Sequence, residues 1–367
     1  MSASVVIMAG GTGGHVFPAL AIAERLRERG LAVSWLGTRR GLEAELVPRA
    51  GIEIDWISVA GLRGNGLLGW LLAPFRLTVA LLQALAALHR RRPAAVLGMG
   101  GFVAGPGGVA ARLLALPLVI HEQNAVAGLT NNLLARLANR VLEAFPGTFP
   151  TARSALTTGN PVRAGIAALP DPSTRFAGRE GPLRVLVLGG SLGAAALNAS
   201  VPAAAARLPG RLTIRHQCGR RQIESARQAY AEAGVDVDVE LLPFIDDMAA
   251  AYAWADLVVC RAGALTIAEL AAAGVGALLV PYPYAVDDHQ TVNAAELIEA
   301  GAARLLPQAE LDAPRLAEEL ETLAMDRPRL LAMAEAARGV ARPEATDAVV
   351  AACLRAAGLT ADRRWAA

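Results

Sequence analysis

Short apolar runs rich in β-branched residues punctuate the first third of the chain: "SVVIM", "AVSWL", "AAVLGMG" and "LPLVIHEQN". Each is followed by a segment whose apolar positions return at helical spacing, and strand alternating with helix predicts a parallel sheet. The series breaks at "TTGNPVRAGIAALPDP" (157–172), whose Gly, Asn and Pro mark a linker. It then restarts as "LRVLVLGG", "LTIRHQ", "VDVELLP", "ADLVVC" and "GALLVP". The expectation is an α/β chain of two doubly wound domains facing each other across a cleft. Residues 1–160 form the first and 161–340 the second, and a C-terminal helix within 341–367 packs back on the first.

Composition supports two domains with real cores, since 367 residues exceed one ordinary domain and 54% are hydrophobic. Cys218, Cys260 and Cys353 are scattered without a CxxC pair, and no apolar leader precedes the first strand, so reduced thiols and a cytoplasmic setting are expected. All 35 basic residues are arginine. The lack of lysine excludes a Walker lysine, a Schiff-base lysine and pyridoxal phosphate chemistry. Residues 1–163 hold 16 Arg against 8 acidic residues, whereas 164–367 hold 19 against 25. The basic first half points to an anionic substrate or surface, with plainly solvated arginines as the alternative.

Candidate chemistry gathers where strands end. "GGTGGH" (10–15) and "GGSLGA" (189–194) each link the first strand of a domain to a helix. Glycine there lets backbone N–H groups approach a phosphate at a helix N-terminus, although a tight turn needed only for packing gives the same pattern. The dinucleotide fingerprint fails, because its third glycine would fall at Val16 and the acidic residue expected after the second strand is replaced by Arg39 and Arg40. "HEQN" (121–124) closes a strand at the edge where doubly wound folds bind ligands. His121 and Glu122 are adjacent, which suits a metal poorly, and no paired-cysteine or HExxH spacing exists. "DVD" (236–238) puts two aspartates on one face of a strand, read as a solvated face. In "RAGALTIAEL" a turn leads into a helix with Thr266 in its first turn and Glu269 one turn on, suited to a phosphate or sugar oxygen and to vicinal ribose hydroxyls, or to simple capping.

The segment "GLRGNGLLGWLLAPFRLTVALLQALAALHRRR" (61–92) concentrates Leu67, Leu68, Trp70, Leu71, Leu72 and Phe75, while Arg76, Gln83 and Arg90 recur every seventh residue. Pro74 and Arg76 interrupt any membrane span. Either the helix is buried, or Trp70, Leu71, Leu72 and Phe75 form a patch that dips into a membrane interface beside anionic headgroups.

Taken in order, "AGGTGGHVFPALAIA", "GLRG", "GMGGFVAGPGG", "HEQNAVAGLTN", "TGNPVR", "GGSLGA", "FIDDM", "RAGALTIAE" and "DDHQTVNA" resemble the MurG family of bacterial glycosyltransferases over nearly the whole chain. That resemblance implies a GT-B fold and inverting transfer of N-acetylglucosamine from UDP-N-acetylglucosamine to lipid I in peptidoglycan synthesis. It further implies a peripheral enzyme on the cytoplasmic face of the bacterial inner membrane, binding an anionic membrane surface and no nucleic acid, with neither cofactor nor metal. By position, it implies that Ser191 holds the diphosphate, that Phe244 and Ile245 read the uracil, and that Arg163 reaches the nucleotide. Ala264, Leu265, Thr266, Ile267, Ala268 and Glu269 would line the donor, with Glu269 on the ribose and Gln290 on the sugar hydroxyls. His289 stands where some relatives carry glutamine. Thr12, Gly13, Gly14 and Asn124 would approach from the acceptor side. His15 is the candidate general base, or else it only holds the loop or the donor sugar. A UDP-N-acetylglucosamine 2-epimerase, which needs catalytic carboxylates, and a non-catalytic sugar-nucleotide scaffold are the alternatives.

Overall fold

The structure is a computed structural model that describes residues 3–59, 66–190, 193–285 and 288–359, with backbone alone over 66–71. It divides into two units, Met1–Arg163 with Glu344–Ala367, and Ala164–Pro343. The first contains β1 (Ser4–Met8), β2 (Ala32–Gly37), β3 (Glu53–Trp56), β4 (Ala95–Gly98), β5 (Leu118–Glu122), β6 (Arg140–Glu143) and β7 (Leu156–Thr157). The second contains β8 (Leu183–Leu188), β9 (Leu212–Gln217), β10 (Asp238–Leu242), β11 (Leu257–Cys260), β12 (Gly276–Leu279) and β13 (Ala303–Leu305).

The sheets run β3-β2-β1-β4-β5-β6-β7 and β10-β9-β8-β11-β12-β13. All their described pairings are parallel; Ile7 sits between Trp35 and Leu97, and Val187 between His216 and Val259. Both sheets reverse direction beside their first strand, between β1 and β4 and between β8 and β11. Loops leaving the carboxyl ends of those neighbours diverge, which opens a crevice for a ligand. β4, β5, β11 and β12 are buried along their whole length, because helices cover both faces of a parallel sheet. The edge strands β3, β7 and β10 are less buried, and Asp236 and Asp238 both lie exposed at the start of β10.

In the first unit one core layer joins Ile7, Val16, Trp35 and Leu97 to Val349, Val350 and Cys353 of the helix Ala345–Ala356. That helix is tied to the helix Gly13–Glu28 by Asp347, which accepts from Arg25 Nε (2.7 Å) and Arg29 Nη2 (2.9 Å). Hydrogen bonding and charge from Arg25 hold the Asp347 carboxyl below the usual range. The opposite layer contains Met8, Leu36, Leu88 and Ile120. The second unit packs Val187, Leu197, Ile214, Val259, Leu278 and Leu320 into its own cluster.

The helix Gly66–Arg91 belongs to the first unit, and its stretch Leu72–Arg91 is long and apolar enough to cross a membrane by length and composition. One face is nevertheless committed to the protein. Ala80, Ala84, Ala87 and Leu88 are buried, Gln83 Oε1 accepts the Ser58 N–H (2.7 Å), and Arg90 and Arg91 pair with Asp55 beneath it. Phe75 and Leu82 are exposed on the opposite side, and Leu72 and Leu77 are also exposed. "GLRG" (61–64) lies outside the described residues, as do the side chains of Leu67, Leu68, Trp70 and Leu71.

Candidate active site

The helices that follow the strands at the two reversals begin at Gly13, Gly101, Ala195 and Ala264. None of their N-cap residues, Thr12, Gly100, Ala194 and Gly263, gives a side-chain hydrogen bond to the first turn. By contrast, Asp247, Asp312 and Asp326 cap helices elsewhere in the second unit by accepting from a backbone N–H. The positive end of the helix dipole at each of these starts, with no side-chain cap over it, suits an anionic ligand.

In the first unit the end of β1 is pinned by Trp35, whose indole N–H donates to the Ala9 carbonyl (2.8 Å) with the ring fully buried. The glycine loop beyond is held by Glu43, also fully buried. One carboxylate oxygen accepts the Gly11 N–H (2.9 Å) and the other accepts the Thr38 N–H (3.0 Å) and hydroxyl (2.7 Å). A second loop, after β4, meets the first so closely that a Cβ on Gly101, already at φ +77°, would lie 2.5 Å from the Gly10 carbonyl oxygen. From the helix behind the first loop, half-buried His15 places Nδ1 2.7 Å from Gln123 Oε1 at the end of β5. Glu122, beside it, shapes the following turn by accepting from Asn124 N (3.0 Å), Asn124 Nδ2 (3.1 Å), Gly128 N (3.1 Å) and Asn131 Nδ2 (2.9 Å).

In the second unit a neutral amide does the work of Glu43. Gln217 at the end of β9 accepts from the Gly190 N–H (3.1 Å) and donates to the Gly190 carbonyl (2.8 Å). Below it, buried Asn198 donates to Cys218 O (3.0 Å) and Gln222 Oε1 (2.8 Å) and bonds His216 Nε2 (3.0 Å). Burial lowers His216 to about 4, which keeps it neutral. Buried Glu269 on the helix Ala264–Ala273 accepts from the Tyr252 hydroxyl (3.1 Å). Arg261, at the turn before that helix, donates to Val280 O (3.1 Å), Pro281 O (3.2 Å) and Gln308 Oε1 (2.6 Å), and burial lowers its pKa.

Residues 5–143 match the glycosyltransferase family 28 N-terminal domain and residues 184–349 its C-terminal domain. The chain belongs to glycosyltransferase family 28. It is 62% identical over 97% of its length to the whole of an Alkalilimnicola ehrlichii protein named UDP-N-acetylglucosamine--N-acetylmuramyl-(pentapeptide) pyrophosphoryl-undecaprenol N-acetylglucosamine transferase. A Nitrosococcus oceani protein of the same name is 60% identical, covering 97% of this chain and 99% of the relative. The crystal structure of Acinetobacter baumannii MurG aligns at a TM-score of 0.80 and 45% identity, covering 96% of this chain and 99% of that one. The two parallel sheets and these matches establish the GT-B fold.

The residues that resemblance to the family singles out fall into two groups, one on each unit. Thr12, Gly13, Gly14, His15 and Asn124 lie at the carboxyl edge of the first sheet, and Arg163 ends that unit with its guanidinium 5.0 Å from the centre of the Phe17 ring. On the second unit, Phe244 and Ile245 are half-buried after β10, and Arg220 lies over the Phe244 ring (5.7 Å). Leu265, Thr266 and Ala268 are half-buried, whereas Ala264, Ile267 and Glu269 are buried, so the Ile267 side chain serves packing. Gln290 Oε1 accepts the Tyr282 N–H (2.9 Å), and half-buried His289 opens the helix His289–Glu299. Ser191 lies outside the described residues. Sequence reasoning missed Glu43, Gln217, Arg261 and Tyr252. Glu43 sits within "GLEAEL", where it reads as an ordinary acid of a first helical turn. The one available signal was its place just after a strand end and a glycine.

Proposed function

We propose that this protein is an inverting glycosyltransferase that moves N-acetylglucosamine from UDP-N-acetylglucosamine to the C4 hydroxyl of lipid I, forming lipid II in peptidoglycan synthesis. The observation carrying this reading is the full-length match at 62% identity to a relative named for that transfer. The second unit binds the donor. The positive ends of the helices beginning at Ala195 and Ala264 stabilise the leaving diphosphate, and Glu269, oriented by Tyr252, takes the ribose hydroxyls. The first unit binds the acceptor's diphosphate and supplies His15 as general base. As the acceptor O4 attacks C1 of the donor sugar, its proton passes to His15 Nε2, the C1–O bond to UDP breaks, and UDP departs with that electron pair. Transfer of radiolabelled N-acetylglucosamine to a lipid I analogue tests the reading. Interconversion of the free sugar nucleotide instead would favour an epimerase, and donor binding with no turnover a scaffold.

The acceptor's polyprenyl tail requires access to a membrane, and the first unit supports a peripheral docking face on the inner leaflet. Phe75 and Leu82 are exposed on the helix Gly66–Arg91, Phe102 and Leu113 on the helix Gly101–Leu113, and Leu129 and Leu133 on the helix Leu129–Leu134. These helices pack side by side and carry exposed Arg76 and Arg112, with Arg136 exposed just beyond. Apolar insertion together with arginine at anionic headgroups gives two attractive terms. Replacing Phe75, Leu82 and Leu113 with serine should abolish cosedimentation with phosphatidylglycerol vesicles while turnover of a short-chain acceptor stays intact. Undiminished cosedimentation would reject this face.

A further inference from the structure

His121 is fully buried and is not needed as a ligand contact, yet it leads directly to the candidate base. Its Nε2 lies 3.0 Å from the Gly159 carbonyl and 3.2 Å from Thr158 Oγ1. Its Nδ1 lies 3.0 Å from Gln123 Nε2, which is also 3.0 Å from the His121 carbonyl, and Gln123 Oε1 faces His15 Nδ1 at 2.7 Å. Two of these atoms are backbone carbonyls, which can only accept. The amide nitrogen must therefore be the end of Gln123 beside the His121 carbonyl, and its oxygen must face His15. An amide oxygen only accepts, so His15 Nδ1 carries the proton. From the other end, the Gly159 carbonyl requires a proton on His121 Nε2, which leaves its Nδ1 to accept the second amide N–H. Both ends assign the same direction to every bond.

We propose that His121 and Gln123 form a one-way hydrogen-bond relay that holds neutral His15 in the Nδ1–H tautomer and so keeps a lone pair on Nε2 for the acceptor hydroxyl. This proposal rests on the reading of His15 as the base. His121 and Gln123 are positioning residues; Gln123 is 1% exposed. Burial lowers His121 to about 4, so it stays neutral and its Nδ1 remains an acceptor. The ring of His15 is also confined on its flank, because a Cβ on Gly100 (φ +89°) would come within 3.1 Å of Cε1 and 3.2 Å of Nδ1. A general base in the wrong tautomer presents an N–H where a lone pair is needed, which is the loss seen when the orienting group of a catalytic triad is changed.

The relay predicts the tautomer before any variant is made. Long-range nitrogen–proton spectra of the full-length protein labelled with 15N-histidine should show His15 protonated at Nδ1 and unprotonated at Nε2. His121 should show the opposite pattern. Gln123→Leu should mix the His15 tautomers and lower kcat tenfold or more, with the Kd for UDP-N-acetylglucosamine unchanged. His121→Phe, which frees the Gln123 amide to turn, should do the same without touching His15. A wild-type His15 protonated at Nε2, or a tautomer unmoved by Gln123→Leu, overturns the relay. A tautomer that shifts while kcat does not would instead overturn His15 as the base, and with it the relay's part in the reaction.

Discussion

The two units share a strand order over six strands, a reversal beside the first strand and a glycine loop feeding a helix, but they brace that loop differently. In the first unit a buried carboxylate, Glu43, collects three donors from two loops, and a histidine is wired to the end of β5, two strands away in the sheet. In the second a neutral amide, Gln217, makes a reciprocal pair with Gly190, and no histidine stands at the corresponding helix start. One topology thus presents two glycine loops at equivalent reversals, and the side chains around each differ: a carboxylate and a histidine in one, a neutral amide in the other. The basic surplus of residues 1–163 against the acidic surplus beyond them follows the same division.

The sharpest way to break this comparison is to remove the brace from one unit at a time. Glu43→Ala strands three donors, so it should lower the stability of the first unit by about 4 kcal/mol, at roughly 1 to 3 kcal/mol per unsatisfied group. Gln217→Ala leaves only one donor and one acceptor and should cost less. Scanning calorimetry of the two variants would show the order, and equal losses would refute the distinction.

Acid tests a feature the units have in common. Each has a buried neutral histidine, His121 or His216, lowered to about 4 chiefly by burial. Above the ordinary histidine value both the folded and unfolded states are neutral and stability is complete. As pH falls from about 6.5 towards 4, the unfolded chain takes up protons that the folded chain refuses, and about 3 kcal/mol per histidine is lost. Denaturant midpoints across that range should fall in both units, and His216→Phe should flatten the fall in the second unit alone.

At the site, His15→Ala should lower kcat about 100-fold or more while donor affinity is nearly kept, and the acid limb of the pH–rate profile should disappear. A retained limb would assign His15 to positioning. The smallest effect belongs to the other unit. Glu269→Ala should weaken UDP-N-acetylglucosamine binding by about 1 to 3 kcal/mol, the loss of a charge-assisted hydrogen bond, measured by titration calorimetry on the folded variant.

Much of the architecture was legible because central strands of a parallel sheet are uninterrupted apolar runs. β1, β2, β4, β5, β8, β11 and β12 appear as such in the chain, while β9 and the edge strand β10 were legible from their β-branched and alternating residues instead. The strands not recognised were β3 "EIDW", β6 "RVLE", β7 "LT" and β13 "ARL", which are short or polar. β6 illustrates the reason. Its Glu143 is buried with Gly147 N, Phe149 N and Thr157 Oγ1 as donors, partners that no local pattern announces. The helix Gly66–Arg91 shows a second kind of ambiguity, for its apolar residues both line the core and face outward, and composition does not sort them.

By itself the sequence determined the strand–helix rhythm, the two glycine loops at equivalent points, the exclusion of lysine-dependent chemistry and the family, because periodicity and ordered motifs are properties of the chain read in one dimension. Tertiary structure decided which groups those motifs meet. Glu43 holds Gly11 from 32 residues away and Gln123 reaches His15 across 108. Both depend on parallel strands bringing distant carboxyl ends to one edge. Only there does the direction of each hydrogen bond become fixed, since it is set by backbone carbonyls that can do nothing but accept.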